Sequence, residues 1–181
     1  MFITRHLYLT GFRGTGKTSV AARLSAAWAV ATIDLDDVIE TNAGKSIREI
    51  FSSGGESHFR DLETEALRVV AAGKPSIVSL GGGAILRAEN RELIESTGIR
   101  VWLDATPEEI CDRVLADAST TERRPALTEL SQREEIHRLM AQRRDLYQAS
   151  ADHHVDTTGK SVDEVAKLVM EAVGRNGGEN A

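Results

Sequence analysis

The chain has 181 residues, enough for one domain with a substantial buried core and too few for two ordinary domains. Its formal net charge is −6 and its pI is about 5.4, which argues against nucleic-acid or anionic-membrane partners. A single cysteine, Cys111, excludes an internal disulfide, and neither a signal peptide nor an apolar span is visible, so we expect an unprocessed cytoplasmic protein.

Strand-like and helix-like segments alternate along the chain. Apolar or β-rich runs are separated by helical patterns of ten residues or more, which predicts a parallel sheet with helices on both faces. A Ser or Thr followed three residues later by Glu predicts a capped helix start. Such capping boxes begin at Ser46, Thr106, Ser131 and Ser161. The predicted strands cover residues 6–10, 31–36, 76–80, 100–104 and 153–157.

The segment "GFRGTGKT", residues 11–18, follows the first predicted strand and opens a predicted helix. It fits the phosphate-binding pattern G-x-x-x-x-G-K-[S/T]. Its glycines allow successive backbone amides to converge on phosphate oxygens, and the helix N-terminus adds a favourable dipole. Lys17 would neutralise the terminal phosphates and the hydroxyl of Thr18 would bind Mg²⁺. The segment therefore predicts ATP or GTP with Mg²⁺ as the ligand.

Several classes of nucleotide protein can be weighed against this loop. The guanine-specific pattern N-K-x-D is absent from the sequence, which disfavours a GTPase switch. An oligomeric ATPase would hold Mg²⁺ with an aspartate at the end of an apolar strand, and "RVWLD" ends in this way at Asp104. Asp104 is explained equally well by capping of the turn into the next helix, so this assignment remains a rival.

Two pairs of polar residues each admit a structural and a functional interpretation. Asp34 and Asp36 are expected at i and i+2 of one strand, so both carboxylates would project from one face at the ligand-binding edge of the sheet. In the functional interpretation, one carboxylate would bind Mg²⁺ through water and the other a substrate hydroxyl. In the structural interpretation, the two aspartates form the turn into the next helix. Arg60 and Glu63 lie one helical turn apart. They could form an ordinary surface ion pair, or Glu63 could orient Arg60 toward the site.

Arginines cluster in the last third of the chain. Residues 116–130 break the helical pattern and are predicted to form a mobile loop, in which Arg123 and Arg124 precede a proline. A phosphotransferase needs a cation on the transferring group and a lid that excludes water. On the helix that follows, only one of Arg143 and Arg144 can face the site, because adjacent helical residues point about 100° apart.

Six segments follow one another along the chain: "GFRGTGKT", "DLD", "GESHFRDLE", "LGGGAIL", "RRPAL" and "RRDLY". Taken in this order, they closely resemble the shikimate kinase family over residues 5–173. The resemblance implies a three-layer α/β/α P-loop kinase fold with a five-stranded parallel sheet in the order 2-3-1-4-5 and a closing lid at about 116–130. From the length and the polar, glycine-rich C-terminus we expect one domain over 1–173 and a disordered tail at 174–181, and we take a monomer as the default. The resemblance also implies ATP-dependent, Mg²⁺-assisted phosphorylation of the 3-hydroxyl of shikimate, in aromatic amino-acid biosynthesis.

Position by position, the resemblance also implies the residues of the site. Lys17, Asp36 and Arg124 would be catalytic, with Asp36 binding substrate hydroxyls and Arg124 reaching phosphate and substrate from the lid. Thr18 and Asp34 would hold Mg²⁺, Asp34 through water. ATP would contact Gly14, Thr15, Gly16, Lys17, Thr18, Ser19, Arg113 and Arg124. Shikimate would contact Asp36, Arg60, Gly81, Gly82, Gly83 and Arg143.

The family resemblance also decides between the alternative residues named above. The spacing of the family pattern R-x-x-L-Y selects Arg143 over Arg144. In the family, Arg60 and Arg143 correspond to the arginines that bind the shikimate carboxylate, and Glu63 resembles the acid that orients Arg60. The triple glycine would be the acceptor side of the reaction, where the hydroxy acid approaches the phosphate donor. Two other functions remain open: a regulatory nucleotide-binding protein without transfer activity, and a kinase for another hydroxy acid such as gluconate. His153 and His154 are interpreted as structural, because neighbouring strand residues point to opposite faces.

Overall fold

The protein is built on a parallel sheet of five strands, seen in a computed structural model that describes residues 3–116 and 132–175. The strand order is β2-β3-β1-β4-β5 and every neighbouring pair is parallel, which confirms the expected topology. The strands are β1 (His6–Thr10), β2 (Thr32–Asp34), β3 (Ile77–Ser79), β4 (Gly98–Asp104) and β5 (His153–Asp156).

Helices connect the strands and cover both faces of the sheet. A single 3₁₀ turn, Ala84–Leu86, follows β3. The described helices are α1 (Lys17–Trp28), α2 (Leu35–Ala43), α3 (Ile47–Ala71), α4 (Ala88–Thr97), α5 (Pro107–Ala116), α6 (Gln132–Ala149) and α7 (Val162–Arg175).

The central strand shows how the sequence builds three layers. Leu7 and Leu9 pack into a buried cluster with α1 and α7, whereas Tyr8 packs into a second cluster with α2, α3 and α4. This alternation is the period of two expected for a strand buried on both faces. The three-layer α/β/α architecture is therefore confirmed. Leu9 is level with Ser79 of β3 and Val101 of β4, so these strands end at one edge, where parallel sheets bind ligands.

The predicted helix starts are borne out where the structure describes them in full. Ser46 and Ser161 each form a capping box with the Glu three residues later. At Thr106 the side chain accepts from the Glu109 amide at 3.4 Å, but the Glu109 carboxylate accepts from the amide of Gly159 instead of returning to Thr106. Ser131 lies outside the described residues.

The second strand is shorter than predicted. β2 ends at Asp34, and α2 begins at Leu35, because the Asp34 side chain caps the new helix by accepting from the amide of Asp36 at 3.0 Å. The expectation that Asp34 and Asp36 share one face of a strand is therefore wrong. Asp36 lies instead in the first turn of α2.

Part of the expected organisation falls beyond the described ranges. The lid expected at 116–130 lies outside them except for Ala116, and so do residues 176–181 of the expected tail. Helix α7 continues to Arg175, two residues into the segment expected to be disordered. Across residues 3–116 and 132–175, no helix has both the length and the apolar character needed to cross a bilayer.

Candidate active site

The phosphate loop connects β1 to α1 and leaves the first turn of α1 without a side-chain cap. Gly16 occupies the N-cap position with φ of 86°, a left-handed conformation that favours glycine. The ammonium group of Lys17 donates to the carbonyls of Gly11 at 2.9 Å and Phe12 at 2.8 Å. Thr15 is buried and its hydroxyl donates to Phe12 O at 2.8 Å, which stabilises the loop. Uncapped helix amides beside a lysine form a site suited to phosphate.

Thr18 and Asp34 meet at the end of this loop. The Thr18 hydroxyl donates to Asp34 Oδ2 at 2.8 Å and lies 3.2 Å from the hydroxyl of Ser79, at the end of β3. Ser19, the next residue, is exposed on the first turn of α1. No group of three or more His, Cys, Asp or Glu side chains suited to a metal occurs within residues 3–116 and 132–175. Two hydroxyls and one carboxylate nevertheless suit Mg²⁺, which takes few protein ligands and completes its shell with water and phosphate.

Arg113 connects the phosphate loop to the loop that follows β5. Its guanidinium donates to the Gly14 carbonyl at 3.2 Å and to the hydroxyl and carbonyl of Thr157, both at 3.1 Å. It also forms an ion pair with Glu109, which itself accepts from the amide of Gly159 at 2.9 Å. Arg113 therefore lies on the donor side of the site, and its contact with adenine remains a prediction.

Arg60 projects from α3 and is held by two carboxylates. It pairs with Glu63 at 2.6 Å and with Glu56 at 3.1 Å, and the Glu63 side chain is fully buried. Burial alone would lower the pKa of Arg60, but Glu63 and then Glu56 outweigh it, and the pKa is raised. The interpretation as an ordinary surface ion pair is therefore wrong, because the Arg60 side chain is only 11% exposed. Glu63 orients the guanidinium.

The triple glycine lies between the phosphate loop and Arg60. A Cβ atom on Gly82 would contact Arg13 N and Gly11 O, each at 3.4 Å. A Cβ atom on Gly83 would overlap the guanidinium of Arg60, although the backbone of Gly83 (φ −111°, ψ −2°) suits any residue. The Gly81 carbonyl accepts from the amide of Ala84 at 3.0 Å, which closes the turn. The two glycine loops thus pack against each other, and Arg60 lies directly behind the second.

Arg143 and Arg144 of α6 separate as the helical geometry requires. Arg143 donates to the Gly82 carbonyl at 3.1 Å and lies 5.8 Å from the ring centroid of Phe12. Arg144 instead pairs with Asp104 Oδ2 at 3.0 Å. The structure therefore places Arg143 against the glycine loop, as predicted from the spacing, and Arg144 away from it.

The rival role of Asp104 as the Mg²⁺-holding residue of an ATPase lacks support in the structure. Its carboxylate is engaged by Arg144 and lies 3.5 Å from Nε2 of His154, whereas the hydroxyl of Thr18 is paired with Asp34 and Ser79. The His154 ring stacks on Trp102 with centroids 4.4 Å apart, consistent with a structural histidine.

Three residues singled out from the sequence remain to be placed, and two residues of the site were not predicted. Arg123 and Arg124 lie outside the described residues. Asp36 is half-buried in the first turn of α2. Sequence reasoning missed Ser79, whose only signal was a hydroxyl at the end of β3. It also missed Tyr147, four residues after Arg143 and therefore on the same helix face.

Comparison with known proteins identifies the family. The family model for shikimate kinase matches residues 13–174. The shikimate kinase of Rhodopirellula baltica is 46% identical over 168 residues, covering 93% of this chain and 90% of that protein. That of Geobacter metallireducens is 45% identical over 161 residues, covering 89% and 87%. A solved structure of Acinetobacter baumannii shikimate kinase in complex with shikimate superposes with a TM-score of 0.88 at 30% identity, covering 95% and 94%. This chain therefore belongs to the shikimate kinase family.

Proposed function

We propose a residue-level course for the reaction of this chain, an ATP-dependent shikimate kinase that phosphorylates the 3-hydroxyl of shikimate. The observation that carries the proposal is the packing of Gly82 against Gly11 and Arg13. It brings a phosphate-binding loop and a second bare-backbone loop into contact. The donor binds on the first loop and the acceptor beside the second, so the reacting atoms are brought together by the contact between the loops.

The donor phosphates bind to the amides of residues 14–19 at the start of α1. Lys17 exchanges its hydrogen bonds to Gly11 O and Phe12 O for the terminal phosphates, which carry full negative charge. Arg113, already next to Gly14, faces the adenosine portion of ATP. The loop therefore needs little rearrangement beyond the lysine side chain.

Thr18, Asp34 and Ser79 converge where they would hold Mg²⁺, Thr18 through its hydroxyl and Asp34 through water. When bound, the cation neutralises charge on the phosphates as the transferred group separates. Asp34 is fixed as the cap of α2, so its carboxylate would keep its orientation with the cation bound.

The acceptor binds between α3, α6 and the glycine loop. Arg60 and Arg143 bind the shikimate carboxylate, and Asp36 holds the 3-hydroxyl in line with the γ-phosphate. The hydroxyl oxygen forms the new bond to phosphorus, the bond from phosphorus to the β,γ-bridging oxygen breaks, ADP leaves, and Asp36 accepts the hydroxyl proton. Lys17 and Arg124 stabilise the charge that develops during transfer.

We also infer the setting of the reaction. Cys111, a residue of α5, is free and buried in a cluster with side chains of α6, as expected for a protein of a reducing compartment, and we assign the enzyme to the cytoplasm. We propose that the enzyme is a monomer, since the residues proposed to bind ATP and those proposed to bind shikimate all come from one chain. The domain is proposed to cover 1–173.

A coupled ADP-release assay tests the assignment. The wild-type chain should release ADP with shikimate and much less with gluconate or with no acceptor. Arg143→Ala should raise the KM for shikimate by about tenfold or more, because a hydrogen bond from a charged group is lost, with little change in the KM for ATP. Arg144→Ala, its matched control, should behave as wild type. Equal rates with gluconate, or equal effects of the two variants, would contradict the proposal.

A further inference from the structure

The carbonyl of Gly82 accepts two hydrogen bonds from the same helix. Arg143 Nη1 donates to it at 3.1 Å, and the hydroxyl of Tyr147, one turn later on α6, donates to the same oxygen. Arg143 already has a proposed task in binding the substrate carboxylate. Tyr147 is uncharged and only 3% exposed, so it lies behind the loop and away from solvent.

The Tyr147 ring packs in a buried cluster with Ile85 and Trp102. It lies nearly parallel to the ring of Trp102, with centroids 5.9 Å apart and an interplanar angle of 10°. Trp102 in turn stacks on His154 at the edge of the sheet. Tyr147 also borders a cavity of about 260 Å³, lined in addition by Phe12 and Met140, so the ring does not fill its surroundings completely. The stack on Trp102 and the bond to Gly82 both contribute to the direction of the hydroxyl.

We propose that Tyr147 is a positioning residue for the acceptor side of the site. Its hydroxyl shares the Gly82 carbonyl with Arg143 and thereby fixes the glycine loop relative to the phosphate loop. The inference rests on the proposed binding of shikimate beside the glycine loop.

The structure shows why a small movement of this loop matters. Gly82 has the phosphate loop on one side, and Gly83 has the guanidinium of Arg60 against it. A shift of the loop therefore changes the acceptor's distance from the donor and its contact with Arg60 at the same time. Displacements of about 1 Å from the reactive geometry can lower rates by about 100-fold. If the phenol hydrogen bond is lost, Arg143 alone holds the Gly82 carbonyl while also binding substrate.

The chain supplies a matched pair of variants, since it has only two tyrosines, Tyr8 and Tyr147. Tyr8 is also buried, and its hydroxyl is 2.8 Å from that of Thr97, at the opposite end of the molecule's central strand from the phosphate loop. Tyr147→Phe and Tyr8→Phe each delete one buried hydrogen-bonded phenol hydroxyl. A merely structural role predicts similar effects for both, namely some loss of thermal stability and unchanged kinetics.

A positioning role predicts a different result. Tyr147→Phe should lower kcat/KM for shikimate by about tenfold, the effect of one lost hydrogen bond. The loss should include a lower kcat, and the KM for ATP should change little. Tyr8→Phe should keep wild-type kinetic constants. Wild-type kcat and KM in Tyr147→Phe, alongside a stability loss like that of Tyr8→Phe, would overturn the proposal.

A second variant covers the case in which Tyr147→Phe is too unstable to assay. Trp102→Phe keeps the hydroxyl but reduces the stacking surface that orients it, and should change the same constants in the same direction. Unchanged kinetics in Trp102→Phe would then count against the positioning role. The Arg143→Ala variant distinguishes failure of the proposed substrate site from failure of the positioning role of Tyr147. If it weakens shikimate binding while the Tyr147 and Trp102 variants are normal, the proposed site stands and this inference fails. If Arg143→Ala is also normal, the site assignment itself fails.

Discussion

Replacing Gly83 by Ala tests the arrangement of the acceptor loop with a single methyl group. The backbone of Gly83 (φ −111°, ψ −2°) accommodates alanine without strain, so any effect comes from what the methyl group meets. It would overlap the guanidinium of Arg60. Arg60 cannot easily retreat, because it is paired with Glu63 at 2.6 Å and the Glu63 side chain is fully buried. Separating them would leave a buried carboxylate without its cation, which costs about 3–5 kcal/mol.

Because Arg60 is held in place by Glu63, we expect the methyl group of Gly83→Ala to push the glycine loop away from Arg60, so that the substrate beside the loop loses a hydrogen bond from a charged group. Such a bond contributes about 1.5–3 kcal/mol. That corresponds to an increase of about 10- to 150-fold in the KM for shikimate. The KM for ATP should change little, because Gly83 faces Arg60 and not the phosphate loop. Both constants can be measured by coupled ADP release.

Gly82→Ala is the matched control for this variant. Its added methyl group would lie 3.4 Å from Gly11 O and Arg13 N and 3.6 Å from the Tyr147 hydroxyl, without the overlap that Gly83→Ala creates, so its effect on the KM for shikimate should be smaller. A wild-type KM for shikimate in Gly83→Ala would refute the reasoning. A larger increase in Gly82→Ala than in Gly83→Ala would refute it as well.

Three further predictions address the metal, the lid and the stability of the fold. Asp34→Asn should raise the Mg²⁺ concentration needed for half-maximal activity, because the carboxylate beside Thr18 is lost. Arg124→Ala should mainly lower kcat, because the arginine is proposed to stabilise charge in the transition state. Burial lowers the pKa of His6 below 6.5, so the unfolded chain binds a proton more readily and the free energy of unfolding should fall as pH drops below about 6.5. His6→Gln should flatten that decline between about pH 6.5 and 5, before carboxylates titrate, in denaturant titrations.

Each of these three predictions would be contradicted by a specific result. An unchanged Mg²⁺ requirement in Asp34→Asn would remove this carboxylate from the metal site. A change confined to the KM for ATP in Arg124→Ala would contradict the lid role. The same loss of stability from pH 6.5 to 5 in His6→Gln as in the wild type would assign the acid sensitivity to other groups.

The sequence was most informative where the physics is local. The alternation of strand and helix, the phosphate loop and two complete capping boxes follow from short-range patterns, and all appear in the structure. The strand order required the family resemblance, because local patterns do not specify which strands become neighbours. The predicted length of β2 was wrong because Asp34, the last residue of the strand, also caps α2, so that Leu35 and Asp36 belong to the helix.

The site was harder to predict where its geometry depends on tertiary contacts. Whether Glu63 lay on the surface or oriented Arg60 could not be decided from a spacing of three residues, and burial decides it. The steric need for glycine at position 83 depends on Arg60, which is distant in sequence and approaches only through the packing of α3. That only one of Arg143 and Arg144 faces the site follows from helical geometry, whereas the choice of Arg143 required the spacing of the family pattern. Tyr147 lies one turn after Arg143 on the same helix face, but its bond to Gly82 depends on tertiary packing.

A crystal structure of the wild-type chain with ADP, Mg²⁺ and shikimate tests the central claim most directly. The account predicts the β-phosphate on the amides that begin α1 and the shikimate ring beside Gly82 and Gly83. It predicts the shikimate carboxylate within hydrogen-bonding distance of both Arg60 and Arg143. Shikimate bound away from the triple glycine, or a carboxylate contacting neither arginine, would contradict the account.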